Sequence, residues 1–326
     1  MFSKLRVAVL RGGPSSEYEA SLKTGALVLT HVPERYHSLD VFIDREGTWH
    51  VQGKVQTPEK VLRKVDAVWN ALHGAYGEDG AIQELLEAHG IPFSGSKRLG
   101  AALSQNKALS RDIARRAGVK TPHSRVLRFA DIPSLNALVR ELYRAFPQPS
   151  VVKPTVGGSS VGVSVVQTAA ELTAALTHAF SISPTALIEE YIDGREAVCG
   201  VLEGVRGKAY YSFLPVEVLL PQGTRFLDEE TRRGKDVRYH CPGRFSSDEK
   251  AELQELAQTM HRLLGLRHYS SSDFIVHPRR GIFFIETDAL PCLGEGESPY
   301  LESLQAVGMT PAHLLDHVLS SAMAGA

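Results

Sequence analysis

The stretch over residues 150–164 constrains the fold of this chain most, because two β-branched runs flank a loop of small residues. Lys153 and a proline end the first run, and Gly157 and Gly158 open the loop before the second run begins. This alternation predicts a strand, a flexible loop and a second strand. A glycine-rich loop with hydroxyl groups and a basal lysine can surround a phosphate with backbone N–H groups.

The loop alone does not identify a phosphate site. Gly158, Ser159 and Ser160 supply small and hydroxyl-bearing positions, but no Gly-Lys-Ser/Thr follows, and no helical pattern opens after the last glycine. The segment is therefore neither a Walker A loop nor a dinucleotide fingerprint. Taken by itself it is more often an ordinary glycine-rich hairpin, so other parts of the chain must decide.

Composition excludes several classes of function. With 326 residues, 43% of them hydrophobic and 22% charged, the chain is typical of a globular protein with two or three packed units. A formal net charge of −1 gives no electrostatic reason to expect nucleic acid or an anionic membrane as a partner. The three cysteines are far apart, and no run of ~18 apolar residues occurs. We therefore expect a cytoplasmic protein that acts on small molecules, without a disulfide framework or a structural zinc.

Two strand ends in the first third of the chain carry polar side chains. An apolar run over residues 5–10 breaks at a Gly-Gly-Pro-Ser-Ser loop, and helical spacing follows from Glu17. A second apolar run, over residues 66–72, ends at His73 in a loop with three glycines and Glu78. An open α/β sheet binds ligands at such strand ends. A lone histidine is more often a packing residue, but this setting favours a functional one.

The middle of the chain alternates helices and strands. A helix from residue 99 onward is predicted to contain Lys107, and a change in composition near Ser96 predicts a domain boundary. A charged run over residues 228–236 is typical of a solvated loop, in which Arg232 and Arg233 are the side chains that could serve a ligand.

Three carboxylates lie on two predicted paired strands near the C-terminus. Period-two alternation places Glu286 and Asp288 on one face, and Asp273 lies on the neighbouring strand. Hard oxygen ligands beside a phosphate loop suit Mg²⁺ that bridges nucleotide phosphates. Carboxylates buried together without a cation would be costly, so the pattern predicts a metal site.

In this order, the motifs resemble the ATP-grasp superfamily, and specifically the D-alanine–D-alanine ligase family. The resemblance covers nearly the whole chain, and the order and spacing of its pieces are much more specific than any single piece. The segments that carry it are residues 12–22, 71–80, 95–96, Lys107, 118–122, 152–154, 158–162, 194–196, Asp273 and Glu286.

The resemblance implies an α/β ATP-grasp fold of three domains. These are an N-terminal domain over residues 1–95, a central domain over 96–186 and a C-terminal domain over 187–326, with ATP between the last two. Lys107 and Lys153 would contact the phosphates near the Gly158–Ser160 loop. The other implied contacts are Glu189 and Ile192 for adenine, Glu196 for ribose, and Asp273, Glu286 and Asp288 for two Mg²⁺ ions, with Mn²⁺ as an alternative.

The resemblance also implies the substrate contacts. Glu17 would meet the ammonium group of the first amino acid, Ser159 would orient the substrate, and His73 and Glu78 would lie close to it. In such ligases a carboxylate attacks the γ-phosphate to give an acyl phosphate, and an amine then displaces phosphate. This chemistry needs charge neutralisation and alignment more than a protein nucleophile.

The chain departs from the family at the reacting and acceptor ends. Ser271 stands where the family has an arginine that stabilises the oxyanion, and loss of such a donor can cost ~3 kcal/mol of transition-state stabilisation. Asp288 replaces an asparagine, and Cys292 replaces a glycine after proline. Pro299, which has no N–H, follows the acceptor-site Ser298.

The charged loop also departs from the family pattern. Arg232 and Arg233 stand where the family has lysine and tyrosine, and an arginine can replace the lysine on a phosphate. The nucleotide and metal positions match the family better than the acceptor positions do.

Two hypotheses follow. In the first, the chain is an ATP-dependent ligase that makes a dipeptide for peptidoglycan precursors, or a related ligase that takes another amino, hydroxy or keto acid. In the second, it binds ATP but has lost ligation and serves as a regulatory protein. We expect a homodimer that acts on small molecules in the cytoplasm.

Overall fold

The computed structural model of the protein describes residues 4–158, 160–221, 237–294 and 298–325. It is a mixed helix and sheet structure built on three sheets of five, six and four strands. The three sheets follow one another along the chain, and each has helices packed against it.

The first sheet is mixed and has the strand order β4-β3-β2-β1-β5, in which β1 pairs parallel with β2 and β5, and β3 pairs antiparallel with β2 and β4. Residues Val7 to Leu10 of its inner strand are fully buried, as expected for a parallel strand covered on both faces. Its elements are β1 (Leu5–Gly12), α1 (Tyr18–His31), β2 (Tyr36–Ile43), β3 (Trp49–Val51), β4 (Lys54–Gln56), α2 (Pro58–Leu62), β5 (Ala67–Asn70) and α3 (Ala81–Ala88). The loops after β1 and β5 therefore leave the same edge of the sheet.

Two helices, α4 (Arg98–Gln105) and α5 (Lys107–Arg116), follow this sheet. The prediction of one helix from residue 99 through Lys107 is therefore wrong. The chain breaks at Asn106, whose side chain accepts hydrogen bonds from the backbone N–H groups of Ala108 and Leu109. Such a cap starts a new helix and places Lys107 at its first position.

The second sheet is antiparallel, with the strand order β6-β9-β7-β8. The hairpin predicted around the glycine loop is present as β7 and β8, which pair antiparallel. The elements are β6 (Ser124–Arg128), a 3₁₀ turn (Phe129–Asp131), α6 (Leu135–Ala145), β7 (Ser150–Pro154), β8 (Ser164–Val166), α7 (Ala169–Ile182) and β9 (Thr185–Glu190). The boundary predicted between residues 186 and 187 lies inside β9, and the division into domains stays a prediction.

The third sheet is also antiparallel, with the order β13-β12-β10-β14-β15 and β11 paired to β10. The predicted strand pair near the C-terminus is present as β14 and β15. The elements are β10 (Arg195–Glu203), β11 (Tyr210–Ser212), β12 (Val216–Leu219), β13 (Arg238–His240), α8 (Ser247–Leu263), β14 (Tyr269–His277), β15 (Gly281–Asp288), α9 (Pro299–Ala306) and α10 (Pro311–Ala324).

One hydrophobic core joins the two ends of the chain. It contains Trp69 of β5 together with Tyr269 of β14 and the buried leucines of α10. The rings of Trp69 and Tyr269 are stacked with centroids 5.9 Å apart. The first sheet is thus held against the third, which fixes the β1 and β5 loops close to β15. In the part of the chain that the structure describes, no helix is long and apolar enough to cross a membrane.

Candidate active site

A cavity opens between the second and third sheets, where β7, β8 and β9 face β10, β14 and β15. Charged and polar side chains from distant parts of the chain line it together with the glycine loop. Of the residues predicted for ATP, metal or substrate, those that line it are Lys107, Lys153, Gly158, Ser160, Glu189, Ile192, Glu196, Ser271, Asp273, Glu286 and Asp288. The fold therefore gathers the sequence-predicted nucleotide and metal residues around one space.

Lys107 links the glycine loop to the third sheet. Its ammonium group donates to the carbonyl oxygen of Gly157 at 2.6 Å and lies 2.8 Å from a carboxylate oxygen of Glu286. Burial alone would lower the pKa of Lys107, but the charge and hydrogen bond of Glu286 outweigh it and raise the pKa. The side chain is therefore a buried cation in the wall of the cavity.

Lys153 makes a second ion pair. Val151 of β7 is paired with Glu189 of β9, so Lys153, two residues further on, points to the same face. Its ammonium nitrogen lies 2.6 Å from one carboxylate oxygen of Glu189. Burial and the nearby charge of Arg111 lower the pKa of Lys153 well below its usual value.

Arg111 contacts the other carboxylate oxygen of Glu189, and its Nε donates to the carbonyl oxygen of Ile285 at 3.1 Å. Burial lowers the pKa of this guanidinium group to about 10. Two buried cations thus share one carboxylate, an arrangement that favours an additional anion in the cavity. Sequence reasoning missed Arg111, although it lies four residues after Lys107, a spacing that places both on one helix face.

The carboxylates of β14 and β15 have a defined register. Asp273 is paired with Glu286, and Ser271 with Asp288. All three acidic side chains are only half-buried, which differs from the buried set that the sequence predicts. Among the described residues no three His, Cys, Asp or Glu side chains form a metal cluster. The donor chemistry still fits a hard cation, because Glu286 already binds one positive charge, that of Lys107.

Glu17, in the loop between β1 and α1, lies against the glycine loop. A Cβ atom added at Gly158 would lie 2.8 Å from Oε1 of Glu17, and one added at Gly74 would lie 2.7 Å from the same oxygen. A larger residue at either position would displace this carboxylate, and Gly74 also has a φ of +69°, which favours glycine. The structure places Glu17, the β5 loop and the phosphate loop side by side.

His73 and Glu78 are buried in the loop after β5. Nδ1 of His73 lies 3.9 Å from Oε1 of Glu78, and Nε2 lies 2.8 Å from the Thr24 hydroxyl. Burial would lower the pKa of His73, but its contacts with Cys292 and Glu78 raise it well above its usual value. Burial raises the pKa of Glu78, although Gly74 donates its N–H to the carboxylate at 2.6 Å.

The acceptor-end residues have structural partners. The buried Ser298 hydroxyl donates to the carbonyl oxygen of Cys292 at 2.6 Å and accepts from the N–H of Leu301, so it caps α9. Pro299 occupies the first position of that helix, where a missing N–H costs no intrahelical bond. Ser271 and Asp288 lie opposite each other, so two departures from the family occur at one point of the sheet.

Ser159, Arg232 and Arg233 lie outside the described residues, as does the rest of the charged run over residues 228–236. Their catalytic and substrate roles stay predictions, as does the substrate role of Ser298.

Two family models match the chain. The model described as the D-ala D-ala ligase C-terminus matches residues 113–320, and the one described as the D-ala D-ala ligase N-terminus matches residues 52–96. The first match alone covers more than half of the chain and includes both faces of the cavity.

Curated relatives and solved structures agree with these matches. A D-alanine--D-alanine ligase of Citrifermentans bemidjiense is 36% identical and aligns over 88% of this chain and 87% of the relative. One from Syntrophobacter fumaroxidans is 33% identical over 98% of each protein. The VanG D-Ala:D-Ser ligase of Enterococcus faecalis superposes with a TM-score of 0.83 at 26% identity, over 98% of this chain and 100% of that one. D-alanyl-alanine synthetase A of Vibrio cholerae has a TM-score of 0.85 at 24% identity, over 99% and 100%.

The resemblance read from the motifs and the expected ATP-grasp fold are both confirmed. The fold, the family models and the full-length relatives agree that this chain belongs to the D-alanine–D-alanine ligase family.

Proposed function

We propose that the protein is an ATP-dependent ligase that joins two molecules of D-alanine to supply peptidoglycan precursors. The observation that carries the proposal is that Lys107 and Lys153 line the same cavity as the carboxylates of β14 and β15. The relatives, which align over nearly the whole chain and carry that activity in their names, support it.

ATP would occupy the space between the second and third sheets. Its phosphates are anions, and the buried cations Lys107 and Lys153 are held at 2.8 and 2.6 Å from carboxylates that can release them to a phosphate. Phosphoryl transfer needs this kind of charge neutralisation and alignment. The remaining proposed nucleotide contacts are Gly158 and Ser160 for phosphate, Glu189 and Ile192 for adenine, and Glu196 for ribose.

The family uses a divalent metal, and we assign it to Asp273, Glu286 and Asp288. Two Mg²⁺ ions are proposed, with Mn²⁺ as an alternative. Bound there, the metal would neutralise charge on the β- and γ-phosphates. The register of β14 and β15, which pairs Asp273 with Glu286, would hold these carboxylates in place for it.

The substrates would meet at the Glu17 side of the cavity. A carboxylate oxygen of the first D-alanine attacks the γ-phosphorus, and the bond from phosphorus to the ADP oxygen breaks. The free amine of the second D-alanine then attacks the carbonyl carbon of the acyl phosphate, the C–N bond forms and phosphate leaves. We assign Glu17 to the ammonium group of the first D-alanine, with His73 and Glu78 next to it.

Other residues are assigned to the reacting and acceptor groups. Ser159 would orient the first substrate, and Arg232 would contact the transferred phosphate. Ser271, Arg233 and Ser298 would line the space that receives the second substrate. These assignments rest on the motif positions and, for Ser271, on its place in the cavity wall.

The test is product analysis. Enzyme, Mg²⁺, ATP and D-alanine should give D-alanyl-D-alanine, with one ADP and one phosphate per dipeptide, and L-alanine should give none. Parallel reactions with D-serine, D-lactate and a panel of keto acids would detect a ligase that uses another acid or acceptor. If ATP binds but is not hydrolysed with any acid of the panel, or is hydrolysed equally without one, the result would contradict ligation and favour a regulatory protein.

We also propose a homodimer in the cytoplasm, a reducing compartment that three widely spaced cysteines suit. Light scattering of the purified protein tests the first point, because a mass of one chain, 35.6 kDa, would contradict it. Cell fractionation tests the second.

A further inference from the structure

Cys292 lies in the loop between β15 and α9 and lines the cavity. It is half-buried, and its sulfur lies 3.7 Å from the hydroxyl oxygen of Thr24. The same hydroxyl accepts the N–H of Leu293 at 3.1 Å. The thiol therefore has an open side toward the cavity and a polar side toward α1.

The polar side of Cys292 contains an imidazole and a carboxylate. His73 Nε2 lies 2.8 Å from the Thr24 hydroxyl, and the ring also interacts with Cys292. On the far side of the ring, Nδ1 is 3.9 Å from Glu78. A thiol beside an imidazole that a third group orients is the arrangement that produces a nucleophilic thiolate.

From this geometry we infer that Cys292 is a reactive thiolate, and that small uncharged electrophiles entering the cavity modify it covalently. With an alkyl halide, the sulfur attacks carbon, an S–C bond forms and halide leaves. His73 keeps its proton throughout and serves as the cation that stabilises the thiolate, while the Thr24 hydroxyl fixes the distance between the two.

The pKa values of the three cysteine thiols support the same inference, because that of Cys292 is lowered and those of Cys241 and Cys199 are raised. Burial would raise the pKa of the Cys292 thiol, but His73, the N–H of Gly294 and the Thr24 hydroxyl outweigh it and lower the pKa. Burial raises the pKa of Cys241 to about 11. It also raises that of Cys199, which is fully buried with its sulfur against the carbonyl of Phe213. Cys241 and Cys199 therefore serve as controls for the reactivity of Cys292 within the same chain.

Modification should also affect the reaction, and this part of the inference rests on the proposed function. The carbonyl of Cys292 accepts a hydrogen bond from the Ser298 hydroxyl at 2.6 Å, so Cys292 lies beside the predicted acceptor-site serine. An added alkyl group would fill space that the activated acid and the amine need. The nucleotide end of the cavity would remain open.

The experiment is alkylation of the full-length protein with iodoacetamide near neutral pH, followed by peptide mass spectrometry at several times. Cys292 should react at least about tenfold faster than Cys241, and Cys199 should not react while the protein is folded. Equal rates at Cys292 and Cys241 would overturn the inference. Because labelling needs no turnover, a protein without ligase activity would contradict the proposed function and leave this result standing.

Variants test whether the neighbours cause the reactivity. His73→Asn and Thr24→Val should each slow alkylation of Cys292 several-fold, about three to tenfold, while the far-ultraviolet circular dichroism stays unchanged. Thr24→Val keeps the side-chain shape, so it tests the cluster even where His73→Asn fails to fold. The control Cys241→Ser should leave both the labelling of Cys292 and the loss of ligation on labelling unchanged. Undiminished alkylation in folded His73→Asn and Thr24→Val would contradict the assignment.

Discussion

The ammonium nitrogen of Lys107 lies 2.8 Å from Oε2 of Glu286, so a predicted phosphate ligand binds a predicted metal ligand. The same lysine donates to Gly157 in the glycine loop. Two groups that would meet ATP and its metal thus neutralise each other before either arrives. Binding of Mg·ATP would exchange partners, with phosphate going to the lysine and the metal to the carboxylate, and little net charge is buried at any stage.

Lys153→Ala should weaken ATP binding about 10- to 100-fold, because a buried cation is removed from the phosphate end of the cavity. Isothermal titration with a non-hydrolysable ATP analogue measures this directly. The matched control is Lys60→Ala in the exposed part of α2, which should bind normally. Normal affinity in Lys153→Ala would show that this lysine does not contact the nucleotide.

Glu286→Gln should destabilise the nucleotide-free protein by about 1–2 kcal/mol. The amide oxygen can still accept a hydrogen bond from Lys107, but the buried ammonium loses its counter-charge. Urea unfolding without ligands measures the difference. Glu34→Gln, on the exposed turn before β2, is the control and should leave stability unchanged. An equally stable Glu286→Gln would mean that the pair has no net energetic effect.

The pH dependence of stability can be predicted at Glu203. Burial raises the pKa of this carboxylate, but His261 and the N–H of His268 outweigh it and lower the pKa below its usual value of 4.5. A depressed folded pKa contributes stability above pH 4.5, which is lost as the pH falls through the folded value.

Glu203→Gln should therefore be less stable than wild type by about 1 kcal/mol at pH 7, and the gap should close as the pH falls below 4.5. Chemical unfolding at a series of pH values measures the two curves. A gap that stays constant to pH 3 would mean that the carboxylate charge does not stabilise the fold.

Gly158→Ala should impair use of D-alanine, because the new Cβ would lie 2.8 Å from Oε1 of Glu17. Either the phosphate loop or the carboxylate must move, so we expect kcat/KM for D-alanine to fall about tenfold or more. Gly325→Ala is the control, since its φ is −99° and a Cβ there would meet nothing closer than 3.5 Å. Unchanged kinetics in Gly158→Ala would show that the close approach of Glu17 to the glycine loop does not matter for the use of D-alanine.

Much of the fold could be predicted from local sequence. The β-branched runs around the glycine loop predict β7 and β8, and the apolar runs before the β1 and β5 loops predict buried strands of a parallel sheet. The break at Asn106 could not be read from apolar spacing, because the spacing continues while a side-chain cap restarts the helix. Periodicity reports which face is buried, not where the backbone hydrogen bonds are interrupted.

The site was harder to predict than the fold. Lys153 and Glu286 could be assigned to one site through family motifs, but their counter-ions depend on tertiary packing. Arg111 reaches Glu189 from another element, and Thr24 joins His73 to Cys292 across more than two hundred residues of sequence. Separations of that length leave no local signal in one sequence.

The central claim is that a substrate carboxylate is activated by phosphoryl transfer. D-alanine labelled with ¹⁸O in its carboxylate tests it, because attack on the γ-phosphorus carries one labelled oxygen into the phosphate product. With Mg·ATP and this substrate, mass spectrometry of the released phosphate should show one ¹⁸O per molecule, formed together with D-alanyl-D-alanine. Dipeptide without label in the phosphate, or phosphate released without dipeptide, would contradict the account.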